Sequence, residues 1–326
     1  MDKRKNIIIT NIGRRGYLVE YIKEIPSFRG KVFVSDCDST ASGLYGNNDG
    51  RFILPRPVDN ENLYVEKLTN LCLSQNIGIV IPVIDPEIFI LSKYRDQMFE
   101  KGINVIVSDK RVLNICYDKM QMNGFLLENG FLVAKTYTTV GEFESDLNKG
   151  QIQFPVIVKP VYGSGSVDTN IVDNLDKLKS IFHEGLMIQE VLKGTEHGCD
   201  VFNTLDKEPI RCVIKKKISM RSGETDKSVT VDRKDLQQLG IELGKKLGHI
   251  GNLDFDVFDT EKGPYVIDMN PRFGGGYPAT HAAGCNLLDI LIRMCEGETI
   301  ESDFDSYNKN LLVMKEIKVI THLLTE

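Results

Sequence analysis

"YVIDMNPRFGGGYP", Tyr265 to Pro278, reads as a strand that ends in an acid, an amide, an arginine and three glycines. Just upstream, "NLDFDVF" (252–258) and "PYVIDMN" (264–270) flank "DTEKG", a polar loop closing on glycine, which is a hairpin signature. A hairpin symmetric about Glu261 sets Asp254 opposite Asp268 and Asn252 opposite Asn270. A register two residues away sets Asp256 opposite Asp268 instead. Alternation places Leu253, Phe255 and Val257 on one face with Tyr265, Ile267 and Met269. Asp254, Asp256, Asp268 and Asn270 share the other face. Opposed like charges destabilise a sheet unless something compensates them, and a divalent cation is the simplest compensator. Two carboxylates and an amide oxygen, with phosphate oxygens completing the shell, match the way magnesium is held in phosphoryl-transfer sites. The alternative is a solvated acidic face on an edge hairpin, but such faces rarely run into Asn-Pro-Arg and a triple glycine.

The rest of the chain narrows the setting. At 326 residues it exceeds the roughly 250–300 at which single cores stop growing, so two or three lobes are expected. Hydrophobic content of 41%, charged content of 26% and a formal charge of −6 suit an ordinary soluble protein. No long basic tract points to nucleic acid. Seven dispersed cysteines without a CxxC pair read as reduced thiols in a cytoplasmic protein. The opening "MDKRKNIIITNIGRR" has an apolar run of only Ile7 to Ile9, too short for a signal-peptide core, and no later run could span a bilayer.

Over the first hundred residues short apolar runs ("NIIIT", "KVFVSD", "GIVIPVID", "INVIVSD") alternate with amphipathic stretches at 17–24, 61–75 and 86–101. That alternation predicts a doubly wound parallel sheet, with ligands beyond the carboxyl ends of its strands. Those ends carry Arg14 and Arg15, Asp36 and Asp38, and Asp85 and Glu87. "NIGRRG" is not GxGxxG; it reads as a turn aiming Arg14 or Arg15 at an anion, or as two solvated arginines opening a helix. From about Ser108 the pattern becomes mixed: a helix near 118–129 closing at Gly130, strands at "FPVIVKP" and "LMIQEV", and longer strands at 198–205 and 209–219. A helix at 232–247, the hairpin and a last helix at 279–295 follow.

Three further stretches suit a nucleoside triphosphate. Lys159 ends a strand just before the loop Gly163, Ser164, Gly165, Ser166, where bare backbone can approach phosphate oxygens. Glu190 ends another strand, where backbone and an acid can read adenine, and Glu196 lies far enough on to reach ribose. Lys217 and Arg221 stand on a basic strand and could neutralise a transferred phosphoryl group, unless that strand is merely a solvated face.

Taken in order, Asp118-Lys119, Lys159 with its glycine loop, "QEV" at 189–191, Asp254, Asp268 and Asn270-Pro-Arg272 resemble the ATP-grasp superfamily. The chain looks most like single-unit proteins related to the carbamoyl-phosphate synthase large subunit. The resemblance implies an α/β and α+β fold. An N-terminal doubly wound parallel sheet, the pre-ATP-grasp domain, would occupy 1–107. A small ATP-grasp lobe would follow at 108–190, and a large lobe carrying the metal site at 191–326. By the same resemblance Lys119 and Lys159 contact ATP phosphates, Glu190, Val191 and Leu192 hold adenine, and Glu196 holds ribose. Asp254 or Asp256, Asp268 and Asn270 bind Mg2+ (or Mn2+). Arg272, with Lys217 and Arg221, faces the moving phosphoryl group, and Gly275 and Gly276 open the acceptor side with Arg14, Arg15, Asp85 and Glu87. The implied activity is an ATP-dependent ligase that joins a small carboxylate to an amine or thiol through an acyl phosphate. A small-molecule kinase and a non-catalytic nucleotide-binding regulator are the alternatives. The expected partners are small molecules, with no nucleic acid or membrane, and a homodimer fits the commonest symmetry. Only one ATP-grasp unit is present, without the synthase's second copy.

Overall fold

The structure is a computed structural model that describes residues 6–163 and 168–323. Ser164, Gly165 and Ser166, expected in the phosphate loop, lie outside the described residues. The first unit comprises β1 (Asn6–Thr10), α1 (Tyr17–Lys23), β2 (Val32–Asp36), β3 (Gly50–Ile53), α2 (Glu61–Ser74), β4 (Ile77–Pro82), α3 (Asp85–Glu100) and β5 (Asn104–Val105). Its sheet is parallel, in the order β3-β2-β1-β4-β5. Period-2 alternation explains why helices cover both faces: Ile7, Ile9 and Val34 enter one core, while Ile8, Phe33 and Val80 enter another with Tyr64, Leu68 and Leu91. The four-residue edge strand β3 was absent from the sequence reading, because "GRFI" is too short to show a period. The strand order reverses between β1 and β4, and that crevice is where doubly wound sheets bind ligands.

Asp118 separates α4 (Lys110–Tyr117) from α5 (Lys119–Glu128) and caps the latter, accepting from Met120 N at 2.9 Å and Gln121 N at 3.1 Å. The cap fixes the first residue of α5, Lys119, at the helix mouth. Then come β6 (Thr136–Tyr137), α6 (Val140–Asn148), β7 (Val156–Pro160), β8 (Asn170–Val172), α7 (Leu175–Ile181) and β9 (Leu186–Glu190). They form an antiparallel sheet, β6-β9-β7-β8, over a core of its own around Phe143, Val156, Leu178 and Ile188.

The remaining elements are β10 (Thr195–Asn203), β11 (Pro209–Arg221), β12 (Glu224–Thr230), α8 (Lys234–Leu247), β13 (Gly251–Thr260), β14 (Gly263–Asn270), α9 (Tyr277–Ala282), α10 (Leu287–Glu296) and β15 (Leu312–Met314). They build an antiparallel sheet in the order β14-β13-β10-β11-β12-β15. The single last helix expected at 279–295 is two, because Gly284 turns left-handed (φ +93°) and Asn286 caps α10 through Asp289 N. Helices α9 and α10 do not pack only on their own sheet. Tyr277, Leu287, Leu288 and Leu291 share one core with Ile7, Ile9, Leu18 and Val34 of the first unit.

Helix α8 lies against its sheet through a glycine. A Cβ at Gly240 would stand 2.7 Å from Cys212 Sγ and 3.2 Å from Phe255 Cζ. Gly240→Val should therefore overpack the core and cost about 1–3 kcal/mol. Gly124, inside α5 with open space around its Cβ position, should behave oppositely: Gly124→Ala should stabilise by about 0.5–1 kcal/mol. Urea denaturation of the two variants checks both signs.

Candidate active site

The acids come together through the hairpin, in the second of the two registers. Asp254 faces Asn270 and Asp256 faces Asp268, so the symmetric pairing of Asp254 with Asp268 does not form. The reason lies at the turn. Thr260 pairs with Gly263, which leaves a two-residue turn at Glu261 and Lys262 and centres the hairpin between them. Between Val257↔Val266 and Asp256↔Asp268 the register then shifts, and Ile267 is the extra residue of a β-bulge. The bulge corrects a second expectation: Val266 enters the core with Met269, Phe255 and Val257, while Ile267 turns to the cavity.

Neighbouring cations hold the acids. Lys119 Nζ lies 2.8 Å from Asp268 Oδ1, and Asn270 Nδ2 donates to Asp268 Oδ2 at 3.2 Å. Lys217 Nζ lies 2.7 Å from Asp256 and 2.8 Å from Glu196. Arg272 donates from Nε to Asp85 at 3.0 Å and from Nη2 to Asn270 Oδ1 at 3.2 Å, and stands 3.7 Å from Asp254. Burial pushes Asp256 up to about 7 despite Lys217. Burial and the Asp200 charge raise Asp254. Asp268 is the exception: burial pushes it upward, but Lys119 and the other donors outweigh that and hold it low.

A second polar layer lies beneath. Asp200 faces Asp254 across β10 and β13, another rung of like charges. It is compensated by Lys215, which contacts Asp200 and donates to Thr280 at 3.0 Å, and by Asn252 Nδ2 at 2.9 Å. All four side chains are buried. The glycines follow from this crowding. A Cβ at Gly274 would lie 1.8 Å from Asp254 Oδ2, one at Gly275 would lie 2.7 Å from Glu224 Cγ, and one at Gly198 would lie 3.2 Å from the Lys217 chain.

The upper layer lines one cavity of about 870 Å³. Lys119, Lys159, Gly163, Glu196 and Lys217 face it, as do the acids, Asn270, Arg272, Gly275 and Gly276. The first unit contributes Arg15 and Asp85 from the crevice between β1 and β4. Lys159 is mostly buried and has no hydrogen bond or ion pair among the described residues. Burial, then the charge of Lys119, lowers it to about 8, with Asp268 opposing.

Other expected residues stand elsewhere. Arg14 is exposed. Glu87 is fully buried against the sheet of the first unit, bonded to Tyr64 OH and pushed up to about 7 by burial. Arg221 is 58% exposed and faces Asp226 at 3.7 Å. Register shifts between Lys217 and Met220 break the alternation that would have put it on the face of Lys217. Glu190 accepts from Lys135 N at 2.7 Å, and with Val191 and Leu192 it lies off the cavity lining. Conversely, Glu224, Met220 and Asp168 line the cavity without having been singled out. Only the turn "SGE" before β12 could have flagged Glu224.

Among the described residues no three His, Cys, Asp or Glu side chains gather into a group able to hold a metal ion alone. Two carboxylates with an amide oxygen nonetheless fit Mg2+, which usually takes one or two carboxylates and completes its shell with phosphate and water.

Residues 7–106 match the PylC-like N-terminal domain and residues 116–276 match the ATP-grasp domain. The chain carries an ATP-grasp domain behind a PylC-like N-terminal domain. It is 26% identical over 269 residues to carbamoyl-phosphate synthase of Methanobrevibacter smithii, covering 77% of this chain and 70% of that protein. It also superimposes on two solved structures. One is the biotin carboxylase domain of Hydrogenobacter thermophilus 2-oxoglutarate carboxylase, solved with MgADP, ADP and bicarbonate (TM-score 0.72, 16% identity, 96% of this chain and 74% of that one). The other is N5-carboxyaminoimidazole synthetase of Staphylococcus aureus, solved with ADP (TM-score 0.72, 15% identity, 93% and 80%). These structural likenesses show the fold. The ATP-grasp assignment makes the chain an ADP-forming ligase. Among the described residues no helix is long and apolar enough to cross a membrane.

The unpaired lysine generates a prediction for the metal-free, nucleotide-free protein. Its folded-state value, about 8, lies below the ordinary lysine value of 10.5, so the unfolded chain binds the extra proton between them. The buried ammonium thus destabilises the fold fully below pH 8, and the penalty vanishes by about pH 10.5. Lys159→Met should be more stable than the wild type by about 2 kcal/mol at pH 7. That advantage should close as the pH rises, as read by thermal melts of both proteins across pH 7–10.

Proposed function

We propose that this ATP-grasp ligase joins a small-molecule carboxylate to an amine (or a thiol) through an acyl phosphate, with release of ADP and phosphate. The observation that carries the reading is the Asp256–Asp268 rung in the cavity wall, flanked by Asn270, Lys119, Lys217 and Arg272. Such a wall suits a triphosphate and its counter-cations better than an uncharged ligand. In this reading residues 1–107 are the pre-ATP-grasp domain, 108–190 the small lobe and 191–326 the large lobe.

The roles follow from position and charge. Asp256, Asp268 and Asn270 hold Mg2+ (or Mn2+), with Asp254 close behind. When bound, the ion screens the phosphate charges and favours loss of ADP. Lys119 and Lys159 meet the phosphate oxygens, and Lys159 gains there the counter-charge it otherwise lacks. Glu196 reaches the ribose. Lys217 and Arg272 neutralise the γ-phosphoryl as it moves. An oxygen of the substrate carboxylate attacks the γ-phosphorus, the bond to the β-phosphate oxygen breaks, and ADP leaves with that electron pair. The amine nitrogen then attacks the acyl carbon, the carbon–oxygen bond to phosphate breaks, and phosphate departs while the nitrogen loses a proton. No enzyme nucleophile is needed.

Incubation with ATP, Mg2+ and pooled carboxylates and amines should yield ADP and phosphate in equal amounts, dependent on one acid–amine pair. Asp268→Asn should lower kcat for that pair by at least about a hundredfold. ADP without free phosphate would make the protein a kinase. AMP and pyrophosphate would overturn the acyl-phosphate reading, and full activity of Asp268→Asn would overturn the metal assignment.

A further inference from the structure

Beneath the cavity wall lies an ion pair that the chemistry above does not use. Asp200 on β10 contacts Lys215 on β11, and both side chains are buried. Burying two charges costs about as much as their attraction returns, so such a pair is weak evidence for stability and needs another reason. Its neighbours supply one. Asp200 Oδ2 also accepts from the Thr280 hydroxyl in the first turn of α9, and Lys215 Nζ donates to that hydroxyl at 3.0 Å. Asp200 Oδ1 accepts from Asn252 Nδ2 at 2.9 Å, and the same amide reaches Arg272 O at 3.4 Å.

The two oxygens of one carboxylate thus reach both ends of one segment. Arg272 stands at its start and Thr280 at its end, with Gly274, Gly275 and Gly276 between them. The middle of the segment leans on the same layer. A Cβ at Gly276 would lie 3.4 Å from Lys215 Nζ and 3.7 Å from Asp254 Oδ1. Arg272 and Gly276 line the cavity, whereas Asp200, Lys215, Asn252 and Thr280 do not. The Arg272 guanidinium is held by Asp85 and Asn270, but its backbone is held from beneath, through Asn252. Three glycines give this stretch little conformational preference of its own. The contacts at its ends therefore decide where it runs.

We propose that Asp200 is a positioning residue for phosphoryl transfer, stapling the segment 272–280 at both ends through Asn252 and Thr280. The staple fixes Arg272 and the bare backbone of the glycines before any ligand arrives. The inference rests on the ligase reading above, in which Arg272 neutralises the γ-phosphoryl group as it moves. Such groups need placement to within about 0.5 Å, and a displacement of about 1 Å can cost a hundredfold in rate. A fully satisfied polar network suits that task, because its hydrogen bonds fix direction where apolar packing fixes only volume.

The test compares full-length variants in turnover and in binding. Thr280→Val keeps the shape of the side chain and cuts the staple at its α9 end. It should lower kcat about ten- to a hundredfold and leave the KM for ATP within about twofold of the wild type. Thr280→Ser restores the hydroxyl and should recover most of that loss. In an Arg272→Lys background, Thr280→Val should cost less than about threefold further, because the group it positions is already altered. Calorimetry reads the staple without turnover. Thr280→Val should bind MgADP with aluminium fluoride, a mimic of the moving phosphoryl group, about tenfold more weakly. It should bind a non-hydrolysable ATP analogue with Mg2+ as the wild type does. Asn252→Leu cuts the other end and gives the same readings should Thr280→Val fail to fold. Unchanged kcat in Thr280→Val, the full further loss in the Arg272→Lys background, or equal weakening of both nucleotide complexes would each overturn the staple. A Thr280→Ser enzyme as slow as Thr280→Val would do so too. The ligase reading fails separately: it falls if no acid–amine pair releases ADP and phosphate, and the aluminium fluoride titration still decides the staple.

Discussion

Two carboxylates facing each other across one rung of an antiparallel ladder, Asp256 and Asp268, impose a debt of repulsion that the surrounding structure must offset. The compensation comes from far along the chain. Lys119 arrives on α5, whose start is fixed by the Asp118 cap, and Lys217 arrives on β11. Lys217 reaches Asp256 by crossing β10 at Gly198, where any side chain would press on its stem. Removing one member of such a buried set leaves an uncompensated charge, at a cost of about 3–5 kcal/mol. These lysines therefore hold the fold as well as any ligand. A cation delivered with a nucleotide would release them to meet phosphate.

The Asp200–Asp254 rung repeats the problem one layer deeper, and there the answer is permanent. Lys215, Thr280 and Asn252 surround Asp200 with no access to solvent, so no ligand substitutes for them. Thr280 ties this layer to α9. Gly274 and Gly275 give up their side chains so that α9 can sit against Asp254 and Glu224. The triple glycine is thus a packing requirement of a crowded acidic wall, and Gly275 and Gly276 share the cavity lining with Arg15 and Asp85 of the first unit.

Much of this was legible in the sequence where a period or a chemical set is strong. The parallel sheet followed from alternating Val/Ile runs, and the acids, Asn270 and Arg272 announced themselves by their crowding at a strand end. What failed was what period-2 counting cannot see. The bulge at Ile267 and the register breaks after Lys217 each insert a half-step. Those half-steps moved Ile267 into the cavity, Val266 out of it and Arg221 away. Glu87 was placed on the acceptor side because it follows a strand end, whereas α3 turns it toward the sheet next to Tyr64. Glu224 was invisible for another reason: its significance lies in partners distant in sequence, Arg15 and Lys315.

The distribution of cores decides which part of the molecule can move as the site works. The face of the first sheet carrying Ile7, Ile9 and Val34 shares a continuous core with Tyr277, Leu287 and Leu291, so the first unit and the six-stranded sheet cannot separate without exposing it. Arg15, Asp85, Arg272 and the acids therefore form one rigid half of the cavity. The four-stranded sheet has a self-contained core around Phe143 and Ile188 and carries Lys159 and Gly163 on the opposite wall. The wall built on a core of its own is thus the one that carries Lys159, the buried lysine whose ammonium has no partner among the described residues, across from the wall that carries the acids.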